Sequence, residues 1–243
     1  MADKLTPEKI EEIAKNFEKI QDGKVPIIKS EKETIKLDYT TKDMNVFKPK
    51  TKESAAEKRL LPLIPPTDPR LLMQIAPFMD DTLEQFGFAN RTELSKVMYD
   101  NMAKYGGLGL SANQVGLPYR MFVMGGHPQI EEGKVRSVFN PLINDVSPES
   151  VMLKEGCLSF PFLFLGIKRP KWCSVRYTDE NGEEVEETLH GMSARIFMHE
   201  NEHMNGYVFT DLVSKLKLER AEKTKAKMVK EIQKRQKGLQ IIT

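Results

Sequence analysis

The sequence predicts an α+β fold in which mostly antiparallel strands pack around a central helix, with helical extensions at both ends of the chain. Two apolar runs, 120–124 (RMFVM) and 135–140 (VRSVFN), have the composition of buried strands and are joined by a polar turn. A strong turn signal at 179–182 (DENG) between two further strand-like segments predicts a β-hairpin. The segment 199–203 (HENEH) supplies the central helix.

Composition sets the class of protein. The chain has 243 residues, 40% of them hydrophobic and 30% charged, with a formal net charge of +2. That length allows one good core with extensions. No apolar run approaches the ~18 residues of a membrane span. Residues 1–15 lack an apolar signal core and are too acidic for a transit peptide, so the sequence predicts a cytoplasmic protein. Two cysteines are too few for a secreted disulfide framework.

The chain divides into three parts. Residues 1–57 form a polar extension, in which a capped helix beginning near Thr6 carries a narrow apolar stripe and the rest is partly disordered. Residues 58–214 form the main domain, and residues 215–243 form a basic helix or tail. Within the main domain, the four prolines of 62–70 predict an extended segment.

A long amphipathic helix follows that segment. Asn90 and Glu93 resemble a capping box, and Gly106-Gly107 ends the helix. The glycines of 107–114 (GLGLSANQ) superficially resemble a dinucleotide fingerprint. That fingerprint follows a strand and opens a helix, whereas here a helix precedes it and Pro118 follows, so no nucleotide cofactor is expected.

The central helix carries a pattern with chemical meaning. Ser193 is a candidate N-cap, and Asn205-Gly206 ends the helix. His199 and His203 are four residues apart, so both imidazoles project from one face and reach one metal ion. Glu200 then lies beside that ion, where a carboxylate can move a proton for a metal-bound water.

A catalytic metal site keeps three protein ligands, so a third must come from elsewhere. A metzincin-like site needs a histidine at position 209, and the sequence has Phe209 there. A thermolysin-like zinc protease would use a glutamate of a following helix, for which Glu219 or Glu222 is suitably placed. Cys157 is the other candidate, because a thiolate is a soft, strong ligand, and Gly156 would let the backbone approach the ion. Both alternatives stay open on this basis.

Three segments together point to a family. GLGLSANQ at 107–114, EGCLS at 155–159 and HENEH at 199–203 resemble, in order and spacing, the three signature motifs of the peptide deformylases. The resemblance runs from about Thr67 to about Lys215. It implies an enzyme that removes the formyl group from N-formylmethionine at the start of new polypeptides.

The resemblance also implies a metal site and a mechanism. Cys157, His199 and His203 would hold one divalent ion, most often Fe²⁺ in this family, with Ni²⁺, Co²⁺ or Zn²⁺ as substitutes. Metal-bound hydroxide would attack the formyl carbon. Glu200 would take the proton of the water and pass it to the departing amine.

Further roles follow from the same resemblance. The Gln114 side-chain amide and the Leu158 backbone N–H would stabilise the oxyanion. Gly109 and Leu110 would pair with the substrate backbone. Ile196, one turn before the first histidine of the motif, is a candidate wall of an apolar pocket for the methionine side chain.

The sequence departs from the family at two places in the main domain, and its N-terminal extension is also atypical. Glu202 stands where the family usually has aspartate, and we expect a small effect because that position does not reach the metal. The apolar segment 160–165 (FPFLFL) replaces polar and arginine residues that meet the substrate in many bacterial members, which predicts a more apolar entrance.

The basic C-terminal segment predicts a helix and a partner. Residues 214–238 carry ten lysines and arginines against three glutamates and contain no Pro or Gly before the end. On an enzyme whose substrate is a nascent chain, this excess favours contact with ribosomal RNA phosphates. Truncation after Lys215 is then expected to spare activity on a free peptide. A ribosome-associated protein with a purely structural metal is the non-enzymatic alternative.

Overall fold

The computed structural model describes residues 59–240, with side chains described through residue 234, so the predicted N-terminal extension lies outside the described residues. Within this range the chain forms three α-helices and seven strands, together with short 3-10 turns. None of these helices is long and apolar enough to cross a membrane. The helices are α1 (Arg91–Lys104), α2 (Gly191–Met204) and α3 (Lys215–Gln240). The strands are β1 (Gly109–Ser111), β2 (Met121–Gly125), β3 (Val135–Val146), β4 (Ser150–Cys157), β5 (Phe160–Pro170), β6 (Trp172–Thr178) and β7 (Glu184–His190).

The strands form two antiparallel sheets. Five of them pair in the order β1-β2-β3-β6-β7, and β4 and β5 form a separate two-stranded ribbon. The predicted buried strands are confirmed as β2 and β3, and the predicted hairpin as β6 and β7. β3 extends beyond Asn140, which has a left-handed backbone with φ of 51°, where its register against β6 shifts. The α+β fold predicted from the sequence is confirmed.

Strand β2 is buried on both faces because a helix covers each side of the five-stranded sheet. Met121 and Val123 pack in one cluster with Met98 of α1. Phe122 packs in a second cluster with Phe197 of α2. The two rings are edge-on, with their centroids 5.1 Å apart. Side chains alternate along a strand, so these two layers place α2 against one face of the sheet.

Helix boundaries follow from their capping. The side chain of Asn90 accepts a hydrogen bond from the backbone N–H of Glu93 at the start of α1, as predicted. Asn205 and the left-handed Gly206 end α2, also as predicted. The predicted cap at Ser193 is wrong: α2 begins at Gly191, directly after β7, and Ser193 is buried in its first turn.

The segment 62–70 differs from its prediction at one end. It was expected to be extended throughout, but Pro69–Leu72 forms a 3-10 turn. Asp68 caps this turn by accepting a hydrogen bond from the backbone N–H of Arg70. Proline is favourable at the first helical position, since its missing N–H has no partner there in any case, so the fourth proline starts a turn and does not prolong the extended segment.

Candidate metal centre

Three potential metal ligands converge at the junction between the ribbon and α2. Cys157 ends β4, and His199 and His203 lie one turn apart on α2. Their ligand atoms all lie within 4.8 Å of one another. The Sγ atom of Cys157 is 3.4 Å from Nε2 of His203. Among the described residues, this is the group of His, Cys, Asp and Glu side chains that has the geometry to hold an ion.

The thermolysin-like alternative finds no support in this arrangement. Glu222 lies on the outer part of α3, where its side chain is 47% exposed and pairs with Lys225. Phe209, at the position where a metzincin-like site needs histidine, instead packs its ring 5.7 Å from the ring of His199. The remaining cysteine, Cys173, is fully buried in β6, and burial raises the pKa of its thiol to about 11.

The first histidine is held by a buried carboxylate. Oε2 of Glu155 lies 3.2 Å from Nδ1 of His199, which leaves Nε2 as the nitrogen available for a metal. Arg169 donates to Glu155 at 2.6 and 2.9 Å and to Glu202 at 2.6 and 2.9 Å. Arg195 also pairs with Glu155. Glu202, the departure from the usual family residue, therefore acts through Arg169 and not at the ligand atoms.

Charge at the site favours a cation. Burial raises the pKa of Glu155, but hydrogen bonds with His199 and Arg169 outweigh it and lower that pKa to about 2, so the carboxylate is ionised. Burial also opposes protonation of His199, yet Cys157 and Glu155 raise its pKa well above the ordinary value. Burial lowers the pKa of His203 well below its ordinary value. Of the two histidines, His199 therefore favours the protonated form and His203 the neutral form. A bound metal ion would take the place of the positive charge on His199.

Glu200, next to His199 on α2, is a buried acidic residue. Burial raises its pKa to about 7, although the neighbouring His199 acts to lower it. Its Oε2 atom is buried without a hydrogen-bond partner among the described residues. A Cβ added at Gly109 would lie 2.8 Å from Cδ of Glu200, so this glycine makes room for the acid. A carboxyl group with a pKa near neutrality suits proton transfer in both directions.

Gln114 is fixed with its amide nitrogen toward the sulfur. Its Oε1 accepts hydrogen bonds from the backbone N–H and the hydroxyl of Ser111, each at 2.9 Å. Its Nε2 therefore points the other way, 3.3 Å from Sγ of Cys157 and 3.2 Å from Oγ of Ser159. A preset donor of this kind needs no reorganisation when negative charge develops nearby.

The other predicted site residues occupy different environments. Leu158 lies in the turn between β4 and β5, next to Gly107. Leu110 of β1 is fully buried, while β1 itself lies at the edge of the five-stranded sheet. Ile196 is 6% exposed and belongs to the cluster between α2 and the sheet. The side chain of Leu110 is therefore part of the core and offers no surface to a ligand.

Two residues near the site play parts that differ from expectation. A Cβ at Gly156 would lie 2.9 Å from Cε1 of Phe164, so this glycine also accommodates an aromatic ring. Glu155 was missed as a supporting residue, although it belongs to the segment EGCLS. Arg169, its partner, follows 14 positions later on β5, and no sequence signal identifies it.

Fold and site together define a class. An α+β protein that brings three soft and borderline metal ligands together beside a buried acid and a preset amide donor has the arrangement of a metal-dependent hydrolase.

Comparison with known proteins identifies the family. The family model of the polypeptide deformylases matches residues 66–219. A peptide deformylase of Wolbachia pipientis is 38% identical over 179 residues, covering 70% of this chain and 96% of the relative. One from Thermotoga petrophila is 45% identical over 120 residues, covering 49% of this chain and 70% of the relative. The chain therefore belongs to the polypeptide deformylase family.

Solved structures agree. The crystal structure of peptide deformylase from Thermotoga maritima is similar with a TM-score of 0.56 and 35% identity, over 64% of this chain and 99% of that one. The actinonin complex of the enzyme from Synechococcus elongatus gives a TM-score of 0.60 at 30% identity, over 72% and 91%. The protein is an enzyme of this type, and the family removes the N-formyl group from nascent polypeptides.

Proposed function

We propose that this chain hydrolyses the formyl amide of N-formylmethionine with Cys157, His199 and His203 as its metal ligands and Glu200 as its acid–base group. The observation that carries the proposal is the convergence of the three ligand atoms within 4.8 Å, next to a buried carboxyl group that has an unpartnered oxygen. When bound, a divalent ion activates a water molecule and polarises the formyl oxygen. A His₂Cys donor set suits Fe²⁺, which we assign as the native ion, as well as Ni²⁺, Co²⁺ and Zn²⁺.

Glu200 moves the proton. With a pKa of about 7, its carboxylate form is available at neutral pH to take a proton from the attacking water. The resulting carboxylic acid then gives that proton to the amine as the carbon–nitrogen bond breaks. General acid–base catalysis of this kind contributes typically about 10²–10⁴ in rate.

Two donors stabilise the developing oxyanion. The Nε2 amide group of Gln114 is oriented by Ser111, and the backbone N–H of Leu158 belongs to the turn directly after Cys157. Each acts on negative charge that is present in the tetrahedral transition state and not in the ground-state amide. Losing one such donor costs on the order of 10²–10³ in kcat.

The substrate binds as an extended strand. β1 is the edge strand of the larger sheet, so backbone groups of Gly109 and Leu110 can pair with a peptide. Ile196 contributes to the apolar surroundings of the methionine side chain. A structural relative from Acinetobacter baumannii, 28% identical with a TM-score of 0.59, was solved with Met-Ala-Ser bound, which supports a product of this kind here.

We further propose that α3 contacts the ribosome. Its outward face carries exposed basic side chains, whereas Leu218 and Ala221 pack against β5. The excess of positive charge in 214–238 suits RNA phosphates, and binding through it weakens steeply as salt rises. Such a partner assigns the enzyme to the cytoplasm. Exchanging Lys223, Lys227 and Lys230 for glutamate should weaken ribosome binding and its salt dependence, while binding equal to wild type would reject this contact.

Formate release tests the activity. Fe²⁺- or Ni²⁺-loaded protein is expected to release formate from formyl-Met-Ala-Ser, and Glu200→Ala is expected to reduce kcat by about 10² or more while it retains the metal. A wild-type protein that binds one ion per chain and releases no formate would contradict the proposal. Full activity in the Glu200→Ala variant would reject the role of Glu200 alone.

A further inference from the structure

Helix α3 packs on the ribbon through one apolar face. Leu218 and Ala221 join the cluster that contains Cys157, Leu163 and Phe209. Further along the helix, the buried side chains Met228 and Ile232 form a separate cluster with Phe162. Positions 218, 221, 228 and 232 follow the spacing of one helical face, which also includes the partly buried Lys225. The exposed residues Lys223, Lys227 and Lys230 lie on the side away from the ribbon.

Phe162 has an unusual backbone. Its φ is 63°, in the left-handed region that bulky residues rarely adopt. Such a conformation costs free energy and persists only where the surrounding structure imposes it. Its side chain packs against Met228 and Ile232 of α3, which therefore form part of the structure around this position.

The strained residue lies five positions after Cys157 on the same ribbon. Phe160, two positions earlier, is the β-ladder partner of Cys157 across the turn that contains Leu158. The Phe160 ring packs edge-on at 5.5 Å from Phe209. Phe209 in turn packs on the His199 ring. The turn that carries a ligand and a proposed oxyanion donor therefore lies between the catalytic helix and the α3 contact.

We propose that α3 is a positioning element of the active site. By holding Phe162 in its left-handed conformation, Met228 and Ile232 fix the turn from Cys157 to Phe160 and with it the sulfur ligand and the Leu158 N–H. The inference rests on the proposed function for the role of that turn. It also argues against the expectation that truncation after Lys215 would leave the chemistry intact, because truncation removes this support.

The experiment compares Met228→Ala/Ile232→Ala with Leu216→Ala in the full-length chain. Leu216 lies on the same helix and is 57% exposed, so its variant controls for a change of helix sequence alone. Two readouts are measured: the affinity for Co²⁺, followed by its thiolate charge-transfer absorption, and kcat and KM for formyl-Met-Ala-Ser. The absorption reports the position of Cys157 without reference to activity.

In the double variant we expect Co²⁺ affinity to fall about 10-fold or more, as when groups that orient metal ligands are lost. We expect kcat to fall by more than KM changes, because a displaced Leu158 N–H loses a contact made mainly in the transition state. Adding Phe162→Gly to the double variant should recover part of kcat, since glycine adopts the left-handed conformation without help from the helix. Because relief of backbone strain also raises stability in general, urea unfolding of both variants is measured beside kcat, and a recovery of stability without a recovery of kcat would contradict the inference.

Co²⁺ affinity and kcat equal to wild type in the double variant, or an equal loss in Leu216→Ala, would overturn the inference. If the double variant does not fold, Ile232→Ala is measured by the same two readouts. Values equal to wild type in that variant would also overturn the inference. Absence of formate release by wild type would instead reject the proposed function, and the Co²⁺ absorption would still test the support of Cys157 by α3.

Discussion

The Nδ1 atom of His199 lies 3.2 Å from Oε2 of Glu155, and the same carboxylate accepts hydrogen bonds from Arg169. A ligand histidine whose second nitrogen is held by a carboxylate has a fixed ring orientation and a more basic metal-binding nitrogen. Here the carboxylate lies two residues before Cys157, the proposed sulfur ligand on β4. One buried ion-pair network therefore lies beside proposed ligands from the ribbon and from α2.

Glu155→Gln should weaken metal binding about 10–100-fold, because the His199 ring loses its anionic partner. It should also lower the free energy of unfolding by roughly 3–5 kcal/mol, since Arg169 and Arg195 lose a buried counter-charge. Metal titration and urea unfolding measure the two effects. Glu149→Gln, in an exposed pair with Lys171, is the matched control and should change neither by much. Unchanged metal affinity in a folded Glu155→Gln protein would contradict this role.

The two cysteines should behave differently. Cys157→Ala removes a proposed ligand and is expected to abolish the thiolate absorption of the Co²⁺ protein and all tight metal binding. Cys173→Ala keeps the ligand set and should bind metal normally, at a cost in stability of about 1 kcal/mol for the small cavity it leaves in the core. Retention of the thiolate absorption in Cys157→Ala would exclude this cysteine as the sulfur ligand.

Gly109→Ala should reduce kcat at least 10-fold while leaving metal content unchanged. The added methyl group would lie 2.8 Å from Cδ of Glu200, so the acid must move from its position beside the ligands, and displacement of an acid–base group by even 1 Å is costly. Gly166→Ala on β5 is a suitable control, since its methyl group would make only an ordinary contact at 3.4 Å with Met152. Equal kcat in both variants would show that Gly109 has no such part.

Stability should fall in acid through Glu187 of β7. Burial raises the pKa of this carboxyl group, but hydrogen bonds from Arg136 and Tyr177 outweigh it and, with the charge of Lys134, lower the pKa from 4.5 to about 2. Its contribution, roughly 3 kcal/mol at most, is complete above about pH 4.5 and is lost as pH falls toward 2. Urea unfolding of wild type and Glu187→Gln should therefore differ at pH 7 and converge near pH 2.

Arg136 is central to that acid dependence, since it also pairs with Glu131. If the two proteins differ by the same free energy at pH 7 and near pH 2, the titration of Glu187 is not the cause of acid lability. Tyr177, whose pKa burial raises, stays neutral throughout this range and does not confuse the comparison.

Local patterns in the sequence predict much of this fold. Alternation and turn residues identify β2, β3 and the β6–β7 hairpin, and capping identifies α1, because these signals reside in residues that are neighbours along the chain. The spacing in HENEH places two candidate ligands on one face of α2 for the same reason. The start of α2 was misjudged at Ser193 because a strand ends directly at the helix, which leaves His190 as a cap with no side-chain hydrogen bond.

What the sequence does not reveal depends on pairing across long separations. The segment 160–165 predicts an apolar entrance, but the sequence does not show that it opens strand β5 or that Leu163 and Leu165 are buried under α3. The need for glycine at 109 becomes visible only when Glu200, 91 positions later, is in place. The Glu155–Arg169–Glu202 network likewise depends on how the ribbon meets α2.

The ribbon shares no strand pairing with the larger sheet, and the candidate ligands lie on both sides of this division, with Cys157 on the ribbon and both histidines on α2. An ion bound here would cross-link the ribbon to α2, in addition to its part in catalysis. The ion would bind the native state and not the unfolded chain. Each tenfold rise in free metal above its Kd should therefore raise the free energy of unfolding by about 1.4 kcal/mol. The metal supply of the cell would then govern how long this protein survives, in addition to how fast it works.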